Sequence, residues 1–243
     1  MGRGPSIENR KNAEDAKKAK SFTKFIREIT MAARAGGGDP GGNPRLRTAI
    51  DKALHNNMTR DTVERAVKRG TGEGGGQAVE EVRYEGYGPG GVAILVDCMT
   101  DNTTRTVAEV RHAFSKQGGN LGSSGSVAFQ FAETGEIIFD IRDEPALEEK
   151  ILELALDGGA DDVQSEEGFV DVLTSPANFE TVKAKLEAAG LKPIEAEVVM
   201  RPSNRVAVAG EAAETLQALL DWLEELDDVQ EVYHNADLPA GPA

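Results

Sequence analysis

Residues 135–201 read GEIIFDIRDEPALEEKILELALDGGADDVQSEEGFVDVLTSPANFETVKAKLEAAGLKPIEAEVVMR, and the order of elements in this stretch decides the fold. Residues 136–141 read as a strand, and Leu147, Ile151, Leu154 and Ala155 follow at helical spacing. Short strands are expected at 162–164 and 169–173. A second helix carries Phe179, Val182, Leu186 and Ala189, and a last strand alternates Ile194, Ala196 and Val198. The order βαββαβ is the ferredoxin-like split arrangement. With 17 acidic against 6 basic residues, this unit is poorly suited to phosphate contact.

Working outward, Val82 and Tyr84 alternate in a strand, and 92–96 is a continuous apolar one. Between them, Gly86-Tyr-Gly-Pro-Gly-Gly91 lacks the Gly-Lys-Ser/Thr ending of a phosphate loop and opens no helix, so a hairpin connection is expected. Asp101 or Asn102 caps a helix to residue 117, with Val107, Val110 and Phe114 inward. Arg105, Glu109, His112 and Lys116 form its wet face. Gly118-Gly-Asn-Leu-Gly-Ser-Ser-Gly-Ser126 then leads to a strand through Val127, Phe129 and Phe131. Backbone N–H groups of that loop could cradle an anion, although a flexible turn is the simpler reading. Beyond Pro202 come a strand at 206–209, a helix through Leu216, Leu219, Leu220 and Leu223, and a strand at 229–233. These complete a second sheet if they return to residues 80–132. The expected fold class is multidomain α+β: a basic helical bundle (1–76), an α+β unit made of 77–133 with 203–243, and a ferredoxin-like unit (134–202) inserted in it.

The N-terminal unit is helical by periodicity. Phe22, Phe25, Ile26, Ile29 and Ala33 form one apolar stripe, with Lys24, Arg27 and Arg34 off it. Gly36-Gly-Gly-Asp-Pro40 ends that helix. Asn43 is a cap with Pro44 at the first helical position, and Leu46, Ala49, Ile50, Ala53 and Leu54 mark the next stripe. Met58 precedes the cap Thr59 and can staple onto Val63, and Gly70 is expected to cap the third helix. Residues 7–20 read as a further helix with almost no apolar face, a mobile arm that orders on a partner. Residues 71–76 read as a flexible linker.

Charge is segregated. Of the 243 residues, 1–70 hold 16 Lys+Arg and 8 Asp+Glu, whereas the other 173 hold 11 and 34. A basic part of this kind meets a polyanion while the acidic part does not. The helices with Arg45, Arg47, Arg60, Arg65, Lys68 and Arg69 outward invite a helix-turn-helix reading. Their outer face nevertheless offers phosphate-type donors rather than an Asn/Gln/Arg base-reading trio. The bundle reads as a backbone gripper.

Chemistry for catalysis is thin. His55, His112 and His234 are far apart with no metal-ligand spacing, and Cys98 alone can form neither an internal disulfide nor a CxxC site. Cys98 reads as core, and Ser123, Ser124 and Ser126 lack a nucleophile-elbow pattern. No nucleophile, base and oxyanion donors come together. The expectation is a protein that is not an enzyme and takes no cofactor, metal or small-molecule substrate. No apolar run approaches the ~18 residues of a membrane span, so a cytoplasmic setting is expected.

Several strings resemble the YebC/PmpR family: Phe25-Ile-Arg-Glu-Ile-Thr30, Asn43-Pro-Arg-Leu-Arg47, Lys68-Arg-Gly-Thr-Gly72, Tyr84-Glu-Gly-Tyr-Gly-Pro-Gly-Gly91, Gly118-Gly-Asn-Leu-Gly122 and Leu226-Asp-Asp-Val-Gln-Glu-Val-Tyr233. Arg105-Thr-Val-Ala-Glu-Val-Arg-His-Ala-Phe114 adds to the likeness, which covers nearly the whole chain. Members often begin with a His-Ser-Lys-Trp-Ala-Asn stretch, whereas Met1-Gly-Arg-Gly-Pro-Ser-Ile7 stands here. Arg10 and Lys11 remain available. The resemblance implies a three-domain, cytoplasmic regulator of gene expression. Its expected partner is DNA, held by the basic bundle, or structured ribosomal RNA in a ribosome-associated translation factor that relieves stalling. A protein–protein adaptor is the competing class. The expected contacts are Arg10, Lys11, Lys17, Lys18, Lys20, Lys24, Arg27, Arg45, Arg47, Arg60, Arg65, Lys68 and Arg69, with Arg105, His112 and Lys116 as accessory ones. Aromatic residues are 5% of the chain and no RNP-type string is present, which argues against sheet-based RNA reading. No long heptad announces a dimer, so a monomer is expected.

Overall fold

The computed structural model describes residues 7–73, 79–166 and 168–238, with side chains from residue 21 onward. Its first unit has three helices, α1 (Ile7–Gly36), α2 (Pro44–His55) and α3 (Arg60–Gly70). Ile29, Ala33, Leu46, Ala49, Ala53, Met58 and Val63 are buried together, with Phe22, Phe25 and Ile26 packed against them. Both expected stripes and the staple therefore face one core. Asn43 joins two helices. Its Oδ1 accepts from the Leu46 N–H at 3.1 Å, and its Nδ2 donates to the carbonyls of Ala32 and Gly37, each at 2.8 Å.

Two expectations for this unit need correction. Residues 7–20 continue α1 and are not a separate helix, because no Gly or Pro interrupts the chain between residues 7 and 35. The arm reading rests on side chains outside the described residues, and most of the linker, 74–78, lies outside them too. Gly70 is the last helical residue rather than the cap, which is Thr71, followed by left-handed Gly72 at φ +90°. A Cβ on Gly70 would stand 2.4 Å from the Thr30 carbonyl oxygen, so glycine here lets α3 close onto α1.

The remaining elements run β1 (Glu80–Gly88), β2 (Val92–Thr100), α4 (Thr103–Lys116), β3 (Asn120–Leu121), β4 (Phe131–Asp140), α5 (Leu147–Gly158), β5 (Asp162–Glu166) and β6 (Phe169–Thr174). They continue with α6 (Phe179–Ala188), β7 (Glu195–Pro202), β8 (Val206–Ala207), α7 (Glu211–Glu225), β9 (Val229–His234) and β10 (Ala236–Asp237). One four-stranded sheet has the order β3-β1-β2-β9, and a second has the order β5-β6-β4-β7 with every pair antiparallel. The second is the ferredoxin-like unit. Ile151 and Ala155 of α5 and Val182 and Leu186 of α6 cover its Ile137, Phe139, Val170 and Val172. Because β9 returns to the first sheet after this unit, the fold is α+β with the ferredoxin-like part inserted in the other.

Strand β2 is central and covered on both faces, which accounts for its unbroken apolar run. Val92, Ile94 and Val96 pack on Val110 and Phe114 of α4 and on Leu216, Leu219 and Leu223 of α7. Ala93 and Leu95 pack on Val127, Phe131 and Met200, where the inserted unit joins. Asn102 caps α4, its side chain accepting from the Arg105 N–H at 3.0 Å. Thr106, Val110, Ala113 and Phe114 are buried, while Val107 is only half-buried.

The expected strand through Val127, Phe129 and Phe131 is absent. Ala128–Gln130 is a 3-10 turn, and β4 begins at Phe131. The Glu85 carboxylate accepts from the backbone N–H groups of Gly125 (2.7 Å), Val127 (2.8 Å) and Ala128 (2.8 Å), the last two being donors that a strand ladder would need. Val127 and Phe131 then turn inward while Phe129 is 74% exposed. Two smaller expectations also fail. Ile194 lies outside β7 and is exposed. The strand after Pro202 is only β8, which pairs in parallel with β10 instead of joining a larger sheet.

Candidate nucleic-acid interface

Helix α3 buries Val63, Ala66 and Gly70, so Arg60, Arg65, Lys68 and Arg69 fall on its outer face and are exposed. Arg65 pairs with Asp61 one turn back at 2.9 Å. Both members are well exposed, and such a pair is worth little against a phosphate. Arg60, Lys68 and Arg69 have no carboxylate partner among the described residues. Lys17, Lys18 and Lys20, with Arg10 and Lys11, lie on the first half of α1, where side chains are outside the described residues.

The other expected contacts are engaged by the acidic units. Arg45 of α2 bonds Glu28 of α1 at 2.8 Å and also reaches Glu81 of β1. Its guanidinium pKa is raised, chiefly by the Glu28 hydrogen bond, which outweighs its desolvation. Arg47 stands 3.7 Å from Glu180 of α6, which also accepts from the Thr48 hydroxyl at 3.0 Å. Lys52, which was not expected to take part, meets Glu197 of β7 at 2.7 Å. Lys24 donates to the Glu224 carbonyl at 3.3 Å, and Arg34, which like Lys52 was not among the expected contacts, to the Val79 carbonyl at 3.0 Å. An open cleft of about 470 Å³ lies where α2 meets α6, lined by Arg47, Asp51, Glu180, Lys183 and Glu187.

Arg27 reaches furthest. It donates to the Asp227 carbonyl and lies 3.1 Å from Oδ1 of Asp228, which is 2% exposed. Oδ2 of Asp228 accepts from Arg105 (2.7 Å), Thr106 (2.8 Å) and Thr100 (3.1 Å). Arg105, expected as an accessory contact, is therefore committed to Asp228 and to Asp101 at 2.9 Å. His112 rests edge-on against Trp222, with ring centroids 5.5 Å apart, and Lys116 is exposed. Asp228 and Glu85 are the organising residues that sequence reasoning missed. Of the Gly-rich loop only Gly125 donates to an anion, the chain's own Glu85, whose other two donors, Val127 and Ala128, follow the loop. Cys98 is buried, and burial, with help from Asp97 and Asp228, pushes its thiol up to about 12. At that value the thiol carries almost no thiolate near neutral pH.

Fold and surface together define a three-unit α+β protein with a cationic helical face and, among the described residues, no assembled nucleophile and base. Residues 4–73 match the TACO1/YebC protein N-terminal domain, and residues 79–236 match the TACO1/YebC second and third domain. The chain belongs to the TACO1/YebC family. It is 58% identical over 242 residues to a "probable transcriptional regulatory protein" of Xanthomonas oryzae pv. oryzae, covering 99% of each chain. A protein of the same description from Stenotrophomonas maltophilia is 57% identical over 242 residues, covering 99% of this chain and 98% of that one. The crystal structure of a conserved hypothetical protein from Aquifex aeolicus superposes with a TM-score of 0.83 at 46% identity, over 93% of both chains. The names of the curated relatives are those of regulatory proteins rather than enzymes. Among the described residues no helix is long and apolar enough to cross a membrane.

Proposed function

We propose that this chain is a cytoplasmic, monomeric regulator of gene expression that grips DNA through the outer face of α3 and the first half of α1. Arg60, Arg65, Lys68 and Arg69 act as phosphate donors, joined by Arg10, Lys11, Lys17, Lys18 and Lys20. One observation carries the reading: α3 keeps three cations without carboxylate partners among the described residues, whereas the basic residues of α2 and late α1 are held by the acidic units. Free cations on one rigid face release counterions when they meet phosphate, which supplies sequence-independent affinity. The naming of the relatives as transcriptional regulators supports DNA as the polyanion. Its working units are taken as 1–76, 77–133 with 203–243, and 134–202.

Crosslinking of the tagged protein in cells, with sequencing of both the RNA and the DNA recovered, tests this function. Enrichment of a few promoter segments, lost on Lys68→Ala/Arg69→Ala, is expected. Enrichment of discrete ribosomal RNA positions instead would make the chain a translation factor. Protein partners that survive nuclease treatment, with no nucleic acid recovered, would make it an adaptor.

A further inference from the structure

Residues 71–243 carry 34 acidic groups, yet three stretches, 86–96, 110–132 and 198–210, carry none, where an even share would put about nine. They meet at one place. Tyr87 pairs with Asn120 across β1 and β3, and its hydroxyl donates to the Ser126 carbonyl at 3.2 Å and accepts from Gln130 at 3.1 Å. The Ser203 N–H donates to the Gln130 carbonyl at 2.8 Å. Out of this junction stands Phe129, 74% exposed, beside half-open Tyr87 at 38%. Arg205 follows Ser203 by two residues, and Lys116 ends α4 just before the Gly118 loop. Both are exposed and without a carboxylate partner among the described residues.

The ring is exposed by construction rather than by looseness. Buried Glu85 takes the N–H groups of Gly125, Val127 and Ala128 and fixes the entry to the 3-10 turn that carries Phe129, while Gln130 is tied on both sides. A rigid, exposed aromatic ring beside amide and hydroxyl groups, on segments that carry no carboxylate of their own and include Arg205 and Lys116, suits a planar, anionic-backboned partner. We propose that Phe129 is a stacking platform for an unpaired base of a single-stranded nucleic acid, with Arg205 and Lys116 meeting its flanking phosphates. The site rests on the nucleic-acid reading above but uses none of the α3 residues.

The test measures affinity of the full chain for fluorescein-labelled 12-nucleotide single strands, one of RNA and one of DNA, and for a 12-base-pair duplex. Phe129→Ala is expected to weaken at least one single strand about tenfold or more, the usual effect of losing one stacked base, and to leave duplex affinity within about twofold. Phe129→Trp retains single-strand binding, and the RNA and DNA arms identify which backbone is taken. Unchanged single-strand affinity in Phe129→Ala, equal loss on the duplex, or no single-strand binding by the unaltered chain overturns the proposal. Lys68→Ala/Arg69→Ala keeps the two readings apart. If it changes nothing while Phe129→Ala still releases the single strand, the α3 reading fails and the stacking site stands.

Discussion

Asp228 shows how a single carboxylate can tie separate elements together: Arg27 of α1, Thr100 of β2, and Arg105 and Thr106 of α4 all reach it. Burial works against its ionisation. The hydrogen bonds of Arg105, Thr106 and Thr100 and the charge of Arg105 outweigh that and hold the carboxyl below its ordinary range. A carboxyl lowered on folding contributes stability that is complete above the unfolded value, about 3.9 for Asp, and lost as pH falls through the lower folded value. Asp228→Asn is therefore expected to cost about 2–3 kcal/mol at pH 7, less than a fully buried pair because both arginines reach water. The urea midpoint reads this, and the gap to the unaltered chain should close below about pH 4. A gap that persists unchanged at acid pH would show that packing, not charge, is responsible. Asp228 was illegible in the sequence because its donors lie up to 201 positions away. Cys98 was legible, since one cysteine at the end of an apolar strand has little option but the core.

At the scale of elements, periodicity located inner faces well. Ile29, Leu46 and Val63 sit where their spacing put them, and Leu216, Leu219 and Leu223 do the same on α7. It was blind to what lies outside a helix. Helices α2 and α3 look alike in sequence, yet α2 docks on α6 and β7 through Arg47, Thr48 and Lys52 while α3 faces solvent. The same blindness turned Val127, Phe129 and Phe131 into an apparent strand. Their alternation has period two, and only Glu85, more than 40 residues earlier, diverts the backbone. Gly70→Ala would force a methyl against the Thr30 carbonyl and Ala33, and is expected to lower stability by about 1–3 kcal/mol through separation of α3 from α1. Thermal unfolding followed by far-UV circular dichroism would read the loss. A variant as stable as the parent would mean that the two helices can move apart at no cost.

Across the whole molecule, the segregation of charge has two uses rather than one. Much of the basic excess of the bundle is answered internally: Lys24, Arg27, Arg34, Arg45, Arg47 and Lys52 meet carbonyls or carboxylates of the two acidic units or of the approach to them. Composition alone could reveal the asymmetry but not this division, because a paired and an unpaired arginine are the same letter. What remains for a polyanion among the described side chains is the α3 face, which the proposed grip shares with the first half of α1. The measurement that tests this most directly is affinity for a DNA duplex as a function of salt, for the unaltered chain, Lys68→Ala/Arg69→Ala and Arg45→Ala/Arg47→Ala. Each phosphate contact contributes about 0.9 to the slope of log affinity against log salt. The α3 double variant is expected to flatten that slope by roughly 1.8, and the α2 double variant to leave it near the parent value. A slope unchanged by the first and flattened by the second would contradict the account and move the phosphate grip to the residues here assigned to holding the molecule together.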